Sequence, residues 1–360
     1  MRVHVVGLGL VGSSVALGLR GRGASVSGED LDPDRATRAL ELGVVERLGG
    51  VEDADLAVVA TPASAVVATA RRLLGSAGPG QRLVVTDVAG VKGPIASGLV
   101  HPRFVPGHPM AGSEQEGPDG ADPDLFVGAA WVLTPTAGTD EEAFSVVREA
   151  VATLGADVVV LEAERHDELV AVVSHVPHLT SATLMSLAAE SPVDREALLH
   201  LAAGGFRDMT RVAAGSSAIW PDICRDNAGA IVPVLDRLIG RLGEVRRIVA
   251  ERDRAALVAL LESAGAARRN LPARGARPPE TSELRLVVPD RPGVLAEVTS
   301  IAGGLGVNIY DIEIAHSTEG PRGVLVLVVT ESSAASLASA LRQGGFKVAV
   351  SAGAPARSAP

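Results

Sequence analysis

Through the first 162 residues, short unbroken apolar runs alternate with amphipathic stretches: Val3–Val6, Ser25–Gly28, Leu56–Ala60, Leu83–Thr86, Phe104–Pro106, Trp131–Thr134 and Val158–Leu161. Runs of this length, apolar on both faces and separated by helical periodicity, predict a doubly wound parallel sheet with helices covering each side. After Glu162 the strand signals stop, and helical periodicity continues to about Arg269. There Ile231, Leu235, Leu238, Leu242, Val245 and Val249 step alternately by four and three, a narrow seam that packs on another helix. Its partner is either a second subunit or a helix of the same domain. Residues 269–282, rich in Arg and Pro, read as a linker. Residues 283–351 then give strands at Leu284–Val288, Val307–Ile314, Val324–Thr330 and Phe346–Val350, with helices at Val294–Leu305 and Ala334–Gln343. That βαββαβ order is ferredoxin-like. Residues 352–360 read as a disordered tail.

Composition narrows the classes. The chain has 360 residues, 47% apolar and 21% charged, with a formal net charge of -10. Such a chain buries a sizeable core, and its acidic balance with scattered Lys and Arg argues against a general nucleic-acid binder. Small molecules and protein are the expected partners. A single cysteine, Cys224, excludes an internal disulfide framework and points to a reducing compartment, with the cytosol as the default. The N-terminal apolar run passes into closely spaced glycines and reads as a buried first strand, not a signal peptide. No uninterrupted apolar run reaches the ~18 residues that would cross a bilayer.

Gly7, Gly9 and Gly12 follow the first strand and open a helix. The first permits a tight turn, the second lets a pyrophosphate approach the backbone, and the third allows close packing of helix on strand. Glu29 and Asp30 end the next strand, where a carboxylate accepts from a ribose 2′-hydroxyl and repels a 2′-phosphate, which favours NAD over NADP. Asp30 is the better placed; Thr61, after the strand at Leu56–Ala60, joins the cofactor set. Arg35 and Arg38 read as solvent-facing. His108, between Gly107 and Pro109, falls in the loop after the fifth strand, at the edge where such sheets bind ligands. Its ordinary pKa near ~6.5 suits it to take a hydroxyl proton while hydride leaves the same carbon. Ser174 and His178 are four apart, with Pro177 expected to kink their helix into a cleft. His175 lies between them, and no supporting spacing makes these histidines a metal site. Arg207 and Arg211 bracket Asp208; a planar guanidinium clamps a carboxylate through two parallel bonds, and Arg211 is favoured.

These tracts together resemble the prephenate dehydrogenase (TyrA) family from the first glycine to about Asn227. The matching pieces are Gly7-x-Gly9-x-x-Gly12, Gly28-x-Asp30, Thr86-Asp-Val, His108-Pro-Met-Ala-Gly-Ser-Glu114, Ser174-His-x-Pro-His178, Gly205-Phe-Arg-Asp-x-Thr-Arg211, Trp220-x-Asp222 and Asn227. The resemblance implies NAD-dependent oxidative decarboxylation of prephenate to 4-hydroxyphenylpyruvate, with His108 bonding the 4-hydroxyl and Arg211 a substrate carboxylate. It makes Ser174 and His178 pocket residues and places Glu114 near a gating loop. One departure stands out: Ala89-Gly90-Val91-Lys92 occupies a tract where the family commonly carries serine in place of Gly90.

The C-terminal unit resembles an ACT domain through Pro289-Asp-Arg-Pro-Gly-Val-Leu295 and Val307-Asn-Ile309, which opens its second strand. The resemblance implies an amino-acid effector, tyrosine, contacted around Gly293 and Asn308 at an interface between two copies of a homodimer. A purely structural dimerisation module is the alternative. Arogenate dehydrogenase runs the same chemistry on a substrate bearing an amine in place of the keto group, and no residue quoted decides between them. A β-hydroxyacid dehydrogenase would call for a Lys and Asn pair where this chain has serine and histidines. A sensor that has lost activity is the reading outside enzymes, argued against by His108, His178 and Arg211 occurring together.

Overall fold

The computed structural model describes residues 1–78, 81–113, 115–190, 201–215, 217–269, 281–289, 291–316 and 322–352. It divides into two units, one of residues 1–198 and 208–243, the other of residues 199–207 and 244–360. In the first, β1 (Arg2–Val6), β2 (Ser25–Glu29), β3 (Arg47–Leu48), β4 (Leu56–Val59), β5 (Val84–Asp87) and β6 (Phe104–Val105) form one parallel sheet in the order β3-β2-β1-β4-β5-β6. Helices α1 (Leu10–Gly21), α2 (Pro33–Glu41), α3 (Ala63–Ser76) and α4 (Gly93–Gly98) make the crossovers. Side chains alternate across the strands. Val3, Val5, Leu56, Val58 and Val84 join Val15 and Leu19 of α1 in one core, while Val6, Ala57, Val59 and Val85 join Val66, Ala70 and Leu73 of α3 in the other. Each such Val or Leu contributes about 1.5–3 kcal/mol on burial, so the carboxyl ends of the strands are firmly placed.

The structure corrects the single-sheet expectation. Gly107–Pro109 forms β7, which pairs antiparallel with β8 (Ala130–Leu133); β8 pairs parallel with β9 (Asp157–Val160), making a separate three-stranded sheet. The change of sheet falls at Pro106, which has no N–H to continue the first ladder and whose carbonyl accepts from the Thr134 N–H at 2.9 Å. His108 is therefore a strand residue opposite Val132, not a loop residue. Helix α5 (Glu141–Thr153) precedes β9.

Helix α6 (Ala163–Val170), a π turn (Ala171–His175) and α7 (Val176–Ala189) run on as one 27-residue helix. With mean hydropathy 1.2 in its most apolar window, it is long and apolar enough to cross a membrane by length and composition. Its interior carries His166, Asp167 and His175, all buried against protein. The expected proline kink is replaced by the π turn, and Pro177 sits in the first turn of α7 directly after it. Beyond lie α8 (Gly204–Thr210), a 3₁₀ turn (Arg211–Ala214), α9 (Trp220–Asp226), α10 (Ala228–Glu251) and α11 (Arg254–Arg269). The seam on α10 is buried at Ile231, yet Leu242 and Val249 remain 56% and 60% exposed within the single chain.

In the second unit, β10 (Thr281–Pro289), α12 (Val294–Gly304), β11 (Asp311–His316), β12 (Arg322–Thr330), α13 (Glu331–Gln343) and β13 (Lys347–Ala352) give the expected βαββαβ order. All pairs are antiparallel in the order β11-β12-β10-β13, over a core that includes Leu284, Leu286, Val298, Leu325, Leu327 and Leu337. β11 begins at Asp311, so Asn308 precedes that strand instead of opening it. Of the expected linker, Arg269 closes α11 and Thr281 and Ser282 open β10, while residues 270–280 lie outside the described residues. Ala352 of the expected tail belongs to β13, and residues 353–360 likewise lie outside.

Candidate active site

The glycine turn follows β1 as its sequence requires. Gly7 has φ +95°, and a Cβ there would stand 2.4 Å from the Ala60 carbonyl oxygen. A Cβ on Gly12 would stand 1.9 Å from the Gly7 carbonyl oxygen, so only glycine lets α1 approach this closely. Around Gly9 a Cβ would meet nothing within 4 Å, which leaves the turn's backbone open to a ligand. Gly7, Gly9, Asp30 and Thr61 line one cavity of about 630 Å³, together with Glu29, Leu31, Arg35 and Arg72. Gly12 lies beneath it. This is the shape and position a dinucleotide needs at the switch point between β1 and β4.

Asp30 is more committed than its motif implies. Its carboxylate accepts from the Leu8 N–H inside the glycine turn at 2.7 Å and from the Asp32 N–H at 2.9 Å. The side chain is only 5% exposed, and Arg35 stands 3.5 Å away. Glu29 pairs with Arg72 at the same mouth. Arg38 is exposed, as expected, and also reaches Asp119 through Nε at 3.0 Å, tying α2 to the segment after Glu114. Glu114 itself lies outside the described residues.

His108 emerges from β7 beside the loop after β5. Its Nδ1 lies 2.8 Å from Nε2 of His166, with the two rings edge to face. His166 Nδ1 lies 2.8 Å from Oδ1 of Asp167. That carboxylate also accepts the Lys92 and Gly93 N–H groups, each at 2.8 Å. On the other side of His108, a Cβ on Gly90 would stand 3.7 Å from its Nε2, so a side chain fits there without strain. Beneath the loop the Lys92 ammonium and the Asp87 carboxylate form a fully buried ion pair. Asp87 also accepts the Ala89 N–H at 2.9 Å and the Gly107 N–H at 3.3 Å, fastening the end of β5 to the start of β7.

The same cluster continues through the helices. The Asn227 amide donates to the Asp167 carbonyl at 2.9 Å and reaches His175 Nδ1 at 3.1 Å. Trp220 stands edge-on to His175 and stacks on His178 at 3.7 Å between ring centroids. Ser174, half-buried, belongs to the π turn and not to a regular helical face shared with His178. Arg211 is exposed on the 3₁₀ turn that packs on α7; at the end of that segment a Cβ on Gly215 would stand 3.8 Å from the His178 ring. In the second unit, Arg207 donates to the Ala202 carbonyl at 3.0 Å, Gly293 caps α12 at φ +88°, and Asn308 is exposed.

Sequence reasoning thus singled out His108, Ser174, His178 and the cofactor glycines, and did not single out His166, Asp167, Lys92 or Asp87, which the structure gathers around His108 and the loop after β5. The adjacent His166-Asp167 pair on an amphipathic helix was the available signal, since a buried imidazole and carboxylate need partners.

Burial lowers His108 well below its ordinary pKa, helped by the nearby Lys92 ammonium and by His166 and His175. Burial also lowers His4, and takes His175 to about 4. Each group is depressed in the folded state, so between these values and about 6.5 the unfolded chain binds more protons. Through these three histidines, stability is therefore expected to fall as the pH drops from about 7 toward 4. Thermal unfolding across pH 4–8 checks this, and a melting temperature that rises on acidification contradicts it.

Comparison with known proteins agrees with the geometry. Residues 15–160 match the family model described as prephenate dehydrogenase, nucleotide-binding domain; residues 162–263 match its dimerization domain, and residues 282–343 match the ACT domain. A prephenate dehydrogenase of Bacillus subtilis (strain 168) is 34% identical over 337 residues, covering 90% of each chain. The A. aeolicus prephenate dehydrogenase solved with hydroxyphenyl propionate and NAD+ is 28% identical with a TM-score of 0.69, covering 74% of this chain and 97% of that one. The Synechocystis arogenate dehydrogenase structure is 31% identical with a TM-score of 0.64, covering 74% and 99%.

Proposed function

The chain belongs to the prephenate dehydrogenase family, and from that premise we infer that it oxidises and decarboxylates prephenate to 4-hydroxyphenylpyruvate with NAD. The observation that carries the mechanism is the placement of His108, with one ring nitrogen tied to His166 and the other facing Gly90 at the carboxyl edge of the strands.

The residues fit the cofactor. Gly7, Gly9 and Gly12 give the pyrophosphate an open turn, Asp30 and Thr61 the ribose side, and Leu31 an apolar surface at the mouth. When bound, NAD supplies the hydride acceptor. His108 Nε2 takes the 4-hydroxyl proton as hydride leaves the same ring carbon. The ring carboxylate departs as CO2, and its bonding pair completes the aromatic ring. His108 then returns the proton to the phenolate oxygen, so the reaction releases no net proton. Arg211 clamps a substrate carboxylate, and Ser174 and the Trp220-stacked His178 form the opposite wall. Aromatisation drives the loss of CO2.

We assign residues 1–162 to cofactor binding, 163–268 to the substrate and dimerisation domain, and 283–351 to regulation. The exposed Leu242 and Val249 of the α10 seam support a homodimer. Gly293 and Asn308 flank α12 and support an effector site for tyrosine there. The single cysteine supports a cytoplasmic setting. Arogenate is the second substrate to test, because of the Synechocystis likeness. Initial rates with prephenate and arogenate, each with NAD and NADP and with tyrosine added, test the substrate, cofactor and effector. NAD reduction with prephenate, slowed by tyrosine, is expected; no reduction with either substrate overturns the reading.

Cofactor choice gives a sharper expectation. In Asp30→Ser the 2′-phosphate repulsion is gone, and Arg35, left with only Asp32 at 3.7 Å of its two carboxylate partners, can turn to a phosphate. The Leu8 N–H also loses its acceptor. Calorimetry should therefore show weaker binding of ADP-ribose and tighter binding of its 2′-phosphate. Unchanged preference would remove Asp30 from cofactor discrimination.

A further inference from the structure

We propose that His166 and Asp167 are positioning residues that fix the tautomer of His108, holding a proton on its Nδ1 so that Nε2 is the lone pair presented to the substrate. This rests on the reading of His108 as the base, and assigns a role to two residues that reading leaves idle.

Two backbone amides set the direction of the series of bonds that ends at His108. The N–H groups of Lys92 and Gly93 can only donate, and both donate to the Asp167 carboxylate, one to each oxygen, at 2.8 Å. With a backbone N–H donated to each of its oxygens, the Asp167 carboxylate serves as an acceptor. Its Oδ1 then takes a second proton from the neighbour 2.8 Å away, which requires Nδ1 of His166 to carry hydrogen. In a neutral imidazole the other nitrogen is an acceptor. Nε2 of His166 is thus a lone pair, and the only hydrogen that suits it at 2.8 Å is one on Nδ1 of His108. Neutral His108 is left with its lone pair on Nε2, the nitrogen facing Gly90.

The same series supports the charged step. When His108 takes the hydroxyl proton, Nδ1–H stays bonded to His166, and the Asp167 carboxylate beyond it offsets the new positive charge. This is the logic by which a buried carboxylate orients a catalytic imidazole, here with a second imidazole in between. Burial favours keeping the arrangement ordered, because His166 and Asp167 are 1% and 6% exposed. The charged and titratable groups around His108 are Lys92 after β5, His166 on α6 and His175 in the π turn; Lys92 opposes a positive His108 and is itself paired to Asp87.

Ring-nitrogen chemical shifts of 15N-histidine-labelled protein, with His108 assigned from the difference spectrum of His108→Asn, read the tautomer in the unaltered chain. A protonated Nδ1 and an unprotonated Nε2 are expected, and the reverse pattern overturns the proposal. In His166→Leu, Nδ1 loses its acceptor. We expect kcat to fall on the order of 10²–10⁴-fold, with the KM for prephenate and the affinity for ADP-ribose changed less than about threefold. In His166→Gln, whose amide oxygen can accept from Nδ1–H, most of that kcat returns. A His166→Leu enzyme with wild-type kcat overturns the proposal. If His108→Asn is inactive while His166→Leu is fully active, only the positioning role fails; if His108→Asn is itself active, the base assignment fails first.

Discussion

His108→Asn is expected to lower kcat on the order of 10²–10⁴-fold while leaving the KM for prephenate within a few-fold. An asparagine can bond a hydroxyl but cannot take its proton, so ground-state contacts survive and the transition state loses its base. Steady-state kinetics with NAD saturating separate the two terms, and an unchanged kcat would remove His108 from the chemistry. The wild-type pH profile carries the matching sign. His108 is held well below 6.5 by burial and by Lys92, so it stays unprotonated through neutral pH. The acid limb of kcat/KM should accordingly fall clearly below pH 6.5, and a limb at or above 6.5 would mean that the ring is solvated during catalysis.

Arg211→Ala should act on binding instead. A charge-assisted bond to a carboxylate is worth about 1.5–3 kcal/mol, which converts to a rise in KM for prephenate of about 10- to 150-fold. The affinity for ADP-ribose should not move, because Arg211 is not among the residues that line the dinucleotide cavity. Arg211→Lys keeps the charge but loses the planar fork, so it should recover only part of the loss. A kcat collapse at constant KM would place Arg211 in the chemical step and not in the clamp.

How much of this was legible depended on how local the signal was. The first strand, the glycine turn and Asp30 occupy thirty consecutive residues, and their order alone announces a dinucleotide fold. The second sheet was hidden because Phe104–Val105 and Gly107–Pro109 are separated by Pro106 alone, and apolar content does not show which strand a residue pairs with. β3 was hidden because Arg47–Leu48 has no apolar run at all. In the ACT-like unit the apolar Val307 and Ile309 imitate a strand, although pairing as β11 starts only at Asp311. The site was half legible for the same reason. His108 is marked by its neighbours, whereas His166 matters only through a contact 58 residues away in sequence. Asp30 was found, yet its bond back to Leu8 could not be. The α10 seam was visible as a period, whereas the burial of Ile231 and the exposure of Leu242 and Val249 within the single chain were not.

The π turn at Ala171–His175 sets the angular phase of the long helix that carries it. At about 100° per residue, positions nine apart on an unbroken α-helix point to opposite sides. His166 and His175 are nine apart, yet both are buried in the same cluster. One extra residue absorbed in the wider turn makes the effective separation eight, which returns the two rings to within roughly 80° of each other. The site therefore depends on a count as well as on identities: the helix must be out of step by one residue for its two histidine-bearing stretches to serve a single centre.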